Sequence, residues 1–266
     1  MDTLTLTMVD GSTVTFDYPP RSHLPRYLRG KGIQNYEPIS TAAFLHACDR
    51  MPGGVFDIGA NIGLYSMAAA TGIGRSVTAF EPFAPPAAVL RAIVADRGFP
   101  IEVVEAAMGA EPGEAQFHIS AKSDMSNSLN SEFRQALRVE TVRVTTIDEA
   151  AASHGAPTVI KMDTETTELD VIRGGERTIQ ETRPFILMES LSAGDAEAVD
   201  AIFGPLDYEI VRLGEPEVQA RIEGLDGLMV DGDLRNWLLV PPALKDGLFE
   251  GISAQVARLR DLPVAE

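Results

Sequence analysis

The sequence has one cysteine, Cys48, and few basic residues for its length. A single cysteine excludes an internal disulfide and is typical of a protein in a reducing compartment. Lys and Arg total 22 against 39 Asp and Glu, which gives a formal net charge of −17. Because binding to a phosphate backbone depends on clustered basic residues, this shortage argues against a nucleic-acid partner.

Long hydrophobic runs and a secretory leader are also missing. No apolar stretch approaches the roughly 20 residues that cross a bilayer, and the first residues lack the basic start and apolar core of a signal peptide. We therefore expect a cytoplasmic protein with no membrane partner. The 4 histidines form no H-x-x-x-H or Cys/His cluster, so no metal site is predicted.

The chain length of 266 residues, 45% of them hydrophobic, suits one sizeable α/β domain with additions. Alternating residues around Asp10-Gly11 predict a β-hairpin near the N terminus. We expect residues 1–50 to form this hairpin and a helix, and residues 51–241 to form the main domain with an insertion at about 111–147. Residues 242–266 are predicted to form a C-terminal helix.

Short β-type runs alternate with helical patterns from residue 54 onward, including one long strand over 101–109 and one helix over 167–179. This alternation predicts a mainly parallel sheet covered by helices on both faces, with ligands bound at the carboxyl ends of the strands. Seven strand candidates remain when two antiparallel strands in the insertion are set aside. A non-helical stretch over 214–233 precedes the last candidate, which predicts an antiparallel last strand.

The segment VFDIGANIG, from Val55 to Gly63, places glycines where the first parallel strand turns into the first helix. Gly59 lets a ligand approach the backbone closely, and a helix N terminus presents unpaired N–H groups. Glu81 follows the next strand, at about the 20-residue spacing of a carboxylate that binds ribose hydroxyls. Together these features predict a nucleotide site; a glycine needed only for a tight turn is the simpler alternative.

The loop favours S-adenosyl-methionine over a nicotinamide dinucleotide. Dinucleotide folds favour G-x-G-x-x-G, and Asn61 occupies the middle glycine position here. S-adenosyl-methionine has no phosphate, and its ammonium group requires a nearby acid, which Asp57 supplies. An NAD(P)-dependent oxidoreductase is the alternative, disfavoured by Asn61 and by the antiparallel last strand.

Several segments in order resemble the FkbM family of methyltransferases. They are DIGANIGLYS, TAFEP, VVEAAMG, VRVTTIDE, IKMDTETTELDVIRGGE and RPFILMES, and Tyr36-Glu37-Pro38 matches a segment that commonly precedes the family's core. The resemblance covers about residues 50–240 and implies a Rossmann-like, seven-stranded class I methyltransferase fold with S-adenosyl-methionine as methyl donor. It implies a cofactor site formed by Glu37, Asp57, Gly59, Ala60, Asn61, Gly63, Glu81, Pro82, Ala106 and Ala107.

The resemblance also implies O-methylation of a small molecule such as a sugar or a polyketide-type product. Asp163 and Glu165 follow the fourth strand, where a carboxylate can remove or orient a hydroxyl proton. Two alternatives stay open: Thr164–Thr167 only cap the next helix, or Asp163 and Glu165 gather a divalent ion together with Glu189.

Thr166 departs from the family's pattern, which usually has a glycine at this position. A β-branched residue does not adopt a positive φ cheaply, so we expect a changed turn or acceptor pocket. Thr166 also leaves open an inactive cofactor-binding module, and the sequence leaves open a homodimer. The polar loop Ser123–Ser128 is predicted either to cover the acceptor or to form an exposed hairpin tip.

Overall fold

A computed structural model describes residues 1–190, 195–213 and 235–265. Its strands are β1 (Asp2–Thr7), β2 (Thr13–Tyr18), β3 (Gly54–Ile58), β4 (Val77–Phe80), β5 (Ile101–Val104), β6 (Ala107–Met108), β7 (Gly113–Ser120), β8 (Ala136–Thr145), β9 (Pro157–Met162), β10 (Phe185–Glu189), β11 (Glu209–Leu213) and β12 (Asn236–Val240). Its helices are α1 (His23–Leu28), α2 (Pro38–Arg50), α3 (Leu64–Gly72), α4 (Ala84–Arg97), α5 (Ile147–His154), α6 (Glu168–Arg173), α7 (Glu176–Thr182), α8 (Asp195–Phe203) and α9 (Leu248–Arg260). None of the described helices combines the length and apolar composition needed to span a membrane.

The central sheet has seven strands in the order β11-β12-β10-β9-β3-β4-β5. Strands β3, β4, β5, β9 and β10 pair in parallel, whereas β12 runs antiparallel to both β10 and β11. The predicted α/β fold with a mainly parallel sheet and an antiparallel last strand is therefore confirmed. The strand order reverses between β3 and β9, and open sheets of this kind bind ligands beside such a reversal, at the carboxyl ends of the strands.

Helices cover both faces of the sheet. Because neighbouring residues of each strand point to opposite sides, each central strand contributes to two hydrophobic cores. Val55 and Val159 face a core built from the N-terminal hairpin and helices α2, α3, α4 and α9. Phe56 and Ile160 face a second core built from α5, α6, α7 and α8. The central strands are mostly apolar on both faces, and their buried charged residues, Asp57 and Lys161, lie near the carboxyl ends of β3 and β9.

The N-terminal hairpin forms as predicted, with β1 and β2 paired antiparallel around the Asp10–Gly11 turn. The helix α1 was not predicted, since its six residues include a proline and show no clear apolar period. The predicted stretch over 214–233 lies outside the described residues.

Two predicted elements are each divided in the structure. The strand predicted over 101–109 forms two strands. Strand β5 ends at Val104, and Ala107–Met108 forms β6, which pairs with β8 in a separate sheet of order β6-β8-β7 that contains the insertion. The predicted helix over 167–179 is interrupted at Gly174-Gly175. A side chain on Gly174 would collide with the backbone oxygen of Gly109, so close packing against that segment requires a glycine at the break.

Candidate active site

A cleft of about 530 Å³ opens where β3, β4 and β9 end, beside the point at which the strand order reverses. It brings together residues that are far apart in the sequence. The predicted site residues that line it are Glu37, Gly59, Ala60, Asn61, Glu81, Pro82, Ala106, Ala107, Asp163 and Glu165. Two predicted cofactor residues, Asp57 and Gly63, lie outside its lining.

The glycine turn after β3 is tied to its neighbours by backbone hydrogen bonds. The N–H groups of Gly59 and Ala60 both donate to the carbonyl of Phe80, at 2.9 and 3.0 Å. Gly59 has a φ of 74°, and a Cβ there would collide with the backbone oxygen of Asp163. The adjoining end of β9 therefore requires the glycine, which also lines the cleft; that Gly59 makes room for a ligand stays a prediction.

Glu81 lies at the end of β4 with a buried carboxylate facing the cleft. The backbone N–H of Asn61 donates to Glu81 Oε2 at 2.7 Å, and that of Phe83 donates to Oε1 at 2.8 Å. Each carboxylate oxygen has two acceptor positions, so both can still accept a hydrogen bond from a ligand. Burial raises the pKa of Glu81 to about 7, against the two backbone hydrogen bonds, which lower it.

Asp57 is fully buried behind the wall of the cleft. Its Oδ2 accepts hydrogen bonds from the backbone N–H of Ser66 at 3.0 Å and from Ser66 Oγ at 2.6 Å. The prediction that Asp57 meets the ligand's ammonium is therefore corrected, because its carboxylate anchors helix α3 beneath the loop. Gly63 is also a packing residue, since a Cβ there would collide with the side chain of Leu90.

The acidic end of the cleft is formed by Glu37, Asp163, Glu165 and Glu189. Tyr65 donates a 2.8 Å hydrogen bond to Glu37 Oε2. Burial, reinforced by the charge of Asp163, raises the pKa of Glu165 to about 8 and that of Glu189 to about 9. The carboxylates therefore repel one another, and a positively charged ligand would relieve that repulsion.

Lys161 also faces this end of the cleft and was missed by the sequence analysis. Its side chain is 9% exposed, and its Nζ lies 3.6 Å from Asp163 Oδ2 and 4.0 Å from Asp57 Oδ1. Burial lowers the pKa of Lys161, but the surrounding carboxylates, Asp163 foremost, raise it more, so that it exceeds its usual value. The sequence did contain a signal for this residue: a lysine within the apolar run VIKM, two residues before Asp163.

The loop after β9 adopts a left-handed backbone at Glu165 and Thr166, with φ values of 57° and 81°. Ser128 Oγ donates to the carbonyl of Glu165 at 2.6 Å, and Asn130 Nδ2 donates to Thr166 Oγ1 at 2.9 Å. Thr166 therefore keeps a glycine-like conformation, which costs about 1–2 kcal/mol for a residue with a side chain. Contacts from the insertion hold the loop in this conformation, and the changed turn or acceptor pocket stays a prediction.

Helix α6 has Thr167 as its N-cap residue but no side-chain cap hydrogen bond, and the Glu165 side chain lies at the cleft. Glu168 Oε1 accepts hydrogen bonds from the backbone N–H and from Oγ1 of Thr164, both at 2.9 Å. In the described part of the chain, no three or more His, Cys, Asp or Glu side chains are grouped so as to hold a metal ion. The alternative of a divalent ion at Asp163, Glu165 and Glu189 thus lacks a ligand cluster.

Comparisons with known proteins place the chain in one family. A family model described as the methyltransferase FkbM domain matches residues 57–214. No curated protein sequence matches the chain.

The chain is also similar to solved methyltransferase structures. One is a methyltransferase FkbM from Methylobacillus flagellatus KT, with a TM-score of 0.48 and 20% identity, covering 70% of this chain and 43% of that one. Another is a precorrin-6y C5,15-methyltransferase from Geobacter metallireducens GS-15, with a TM-score of 0.45 and 10% identity, covering 85% and 94%. An rRNA methylase from Streptococcus thermophilus has a TM-score of 0.43 and 9% identity, covering 77% and 96%. The chain spans less than half the length of the first of these structures.

Proposed function

The chain belongs to the FkbM methyltransferase family, which depends on S-adenosyl-methionine, and from that premise we propose that it methylates a hydroxyl group of a small metabolite. A sugar or a polyketide-type product is the acceptor class we favour. One observation carries the proposal: a single cleft joins Glu81 and the glycine turn at one end to Asp163 and Glu165 at the other.

The residues at the first end fit the nucleoside of S-adenosyl-methionine. Both oxygens of Glu81 retain acceptor capacity, which matches the two hydroxyl donors of a ribose. Ala106 and Ala107 line the cleft beyond Glu81, and their small apolar side chains leave room for a flat base. We assign Glu81 to the ribose and the alanine pair to the adenine.

The acidic end of the cleft fits the charged remainder of the cofactor. Four carboxylates and Lys161 line it, and the exposed Arg235 lies 3.9 Å from Glu189, so its charge is negative whenever three or more of the carboxylates are ionised. When bound, S-adenosyl-methionine supplies an electrophilic methyl group on a positively charged sulfonium. Glu37, Asp163 and Glu189 stabilise positive charge at this end, because an opposite charge offsets the repulsion among them.

Asp163 and Glu165 are the residues we propose to act on the acceptor. Both carboxylates line the cleft just past the end of β9, where either can accept a hydrogen bond from a hydroxyl group and take its proton. The loop Ser123–Ser128 also contributes to the lining, through Ser123, Met125, Ser126 and Asn127. This position supports the role of the loop as a wall of the acceptor site rather than as a free hairpin tip.

Binding and turnover measurements test the proposal in two steps. Thermal shift and calorimetry should show binding of S-adenosyl-homocysteine and none of NAD or NADP. Release of S-adenosyl-homocysteine should then be followed with a panel of hydroxylated sugars and polyketide-type alcohols. Binding of NAD or NADP alone would favour the oxidoreductase. Binding of S-adenosyl-homocysteine without turnover on any panel member would favour the inactive module.

A further inference from the structure

Lys161 is a buried cation placed between the glycine turn and the acidic end of the cleft. Its Nζ lies 3.4 Å from the carbonyl oxygen of Gly59 and 3.6 Å from Asp163 Oδ2. The two other Lys and Arg residues that line the cleft, Lys122 and Arg235, are exposed. The ammonium of Lys161 carries three donors, and these contacts at 3.4 Å and beyond leave it able to donate to a ligand.

The glycine turn itself has no backbone hydrogen-bond donors left for an anion. The N–H groups of Gly59 and Ala60 donate to Phe80, and that of Gly63 donates to the carbonyl of Ala60. The N–H of Asn61 donates to Glu81, and the N–H of Ile62 donates to Asn61 Oδ1. A loop of this kind usually binds anions through its N–H groups, but all five from Gly59 to Gly63 are used within the protein.

The strand order sets the direction in which the proposed cofactor extends. Glu81 ends β4 on one side of β3, and Lys161 lies in β9 on the other side. Beyond Glu81, towards β5, the lining residues include Ala106, Ala107 and Met108, which suit an uncharged base. The charged amino-acid end is therefore directed towards β9.

The amino-acid end carries a carboxylate as well as an ammonium. Glu37, Asp163 and Glu189 favour the ammonium, but the same residues repel the carboxylate. We infer that Lys161 binds this carboxylate and thereby lets a zwitterionic ligand enter an acidic cleft. This inference rests on the proposed function, and it assigns Lys161 as a cofactor-binding residue.

A purely structural role for Lys161 is the competing explanation. Lys161 and Asp57 are partners in the register of β9 and β3, so the lysine also offsets a buried acid. The Asp57 contact is the longer one, at 4.0 Å to Oδ1. Asp57 Oδ2 accepts hydrogen bonds from Ser66, whereas Oδ1 is buried and accepts none from the described residues. The two roles differ in what they predict for ligands that have or lack the carboxylate.

A pair of matched ligands separates the two roles. S-adenosyl-homocysteine has the carboxylate, whereas S-adenosyl-thiopropylamine keeps the ammonium and lacks the carboxylate. Calorimetry on the wild type should show S-adenosyl-homocysteine binding at least about tenfold more tightly, because a charged hydrogen bond is lost with the carboxylate. Without the lysine contact, an acidic cleft should instead prefer the thiopropylamine, which carries the higher positive charge.

The variant Lys161→Met should remove this preference. Its affinity for S-adenosyl-homocysteine should fall about tenfold or more, while its affinity for the thiopropylamine should stay equal or rise. Lys161→Arg should keep part of the preference. Lys245→Met is the matched control, because Lys245 pairs with Asp207 at 3.1 Å and does not line the cleft.

If Lys161→Met fails to fold, the wild-type comparison can still overturn the inference, and Lys161→Arg is the second variant that tests the lysine itself. Equal affinity for the two ligands, or tighter binding of the thiopropylamine, would overturn the inference and leave the proposed function standing. An equal loss of affinity for both ligands in Lys161→Met would also overturn it, since that is the structural role. Failure of the wild type to bind either nucleoside would overturn the proposed function together with the inference.

Discussion

The backbone N–H of Asn61 donates a 2.7 Å hydrogen bond to the buried carboxylate of Glu81. This bond joins the glycine turn after β3 to the end of β4, over 20 positions in the chain. Asn61 has a φ of 52°, a left-handed conformation that asparagine tolerates better than most residues. The position at which a dinucleotide fold would have a glycine therefore orients Glu81 instead.

Substitution of Glu81 should weaken cofactor binding. We expect Glu81→Ala to reduce the affinity for S-adenosyl-homocysteine by about 1–3 kcal/mol, because the ribose loses a charged acceptor and Asn61 loses its partner. Titration calorimetry measures this loss. Glu105→Ala is the control, since Glu105 is an exposed carboxylate paired with Arg91. Unchanged affinity in Glu81→Ala would remove Glu81 from the site.

Gly59 and Gly74 form a matched pair, with nearly equal φ values of 74° and 73°. A Cβ at Gly59 would meet the backbone oxygen of Asp163, whereas nothing lies within 4 Å of a Cβ at Gly74. Alanine at either position pays about 1–2 kcal/mol for the left-handed conformation. We expect Gly59→Ala to cost more than Gly74→Ala and to lower cofactor affinity as well. Urea unfolding tests this, and equal losses would show that the Asp163 contact has no effect.

Thr166 and Asn130 should show non-additive effects on stability. In the wild type, Thr166→Gly relieves left-handed strain of about 1–2 kcal/mol, but it also removes the acceptor for Asn130, worth about 1 kcal/mol. In an Asn130→Ala background that hydrogen bond is already absent. The same substitution should therefore stabilise that background more than it stabilises the wild type. A double-mutant cycle by urea unfolding measures the difference, and strict additivity would contradict it.

Local patterns in the sequence predicted which residues form the site, but they did not predict the contacts that those residues make. The glycine turn, Glu81 and the two acids after β9 were all recognisable, because strand ends and turn residues have short-range signatures. The contacts of Gly59 and Asp57 could not be predicted because each depends on a neighbouring segment: the end of β9 in one case and Ser66 in the other. The register of parallel strands cannot be read from one strand alone.

Lys161 and Thr166 likewise depend on contacts with segments that are distant in the sequence. The run VIKM reads as an ordinary buried strand, and only the pairing of β9 with β3 places its lysine beside Asp57. Thr166 appeared incompatible with the turn because the supporting bonds from Ser128 and Asn130 come from the insertion, more than 30 positions earlier. Tertiary contacts therefore decide whether a strained conformation is kept.

The stability of the unliganded protein should fall as the pH rises. The pKa values of Glu81 and Glu168 are raised to about 7, that of Glu165 to about 8 and that of Glu189 to about 9, chiefly by burial. Between the usual glutamate pKa and these values, the folded state holds more protons than the unfolded state. The free energy of unfolding therefore decreases with pH across this window.

Thermal unfolding between pH 5 and pH 9 measures the effect. Glu189→Gln should give a flatter pH dependence than the wild type, since a neutral amide cannot lose a proton. Glu114→Gln is the control, because Glu114 is exposed on β7. A melting temperature that rises over this range in the wild type would contradict the prediction.

The acids after β9 should affect methyl transfer more than cofactor binding. We expect Glu165→Gln to leave the affinity for S-adenosyl-homocysteine within a few-fold, whereas Asp163→Asn should also weaken binding, because Asp163 stabilises the ligand's ammonium and pairs with Lys161. At least one of them should reduce the transfer rate by about 10²-fold or more, as removal of a general base does. An amide keeps the shape of the carboxylate, so a reduced rate reports its charge or basicity. Glu181→Gln, on an exposed part of α7, should change neither quantity.

The pH profile then tells the two acids apart. Glu165 has its pKa raised to about 8 by burial and by the charge of Asp163. If Glu165 takes the hydroxyl proton, the wild-type rate rises with pH as Glu165 loses its proton, and Glu165→Gln abolishes the rise. Asp163 is paired with Lys161, and if it takes the proton, Asp163→Asn loses the rate while Glu165→Gln retains the profile. If both amides turn over normally, neither carboxylate removes the proton, and the reaction depends on the alignment of the acceptor within the cleft.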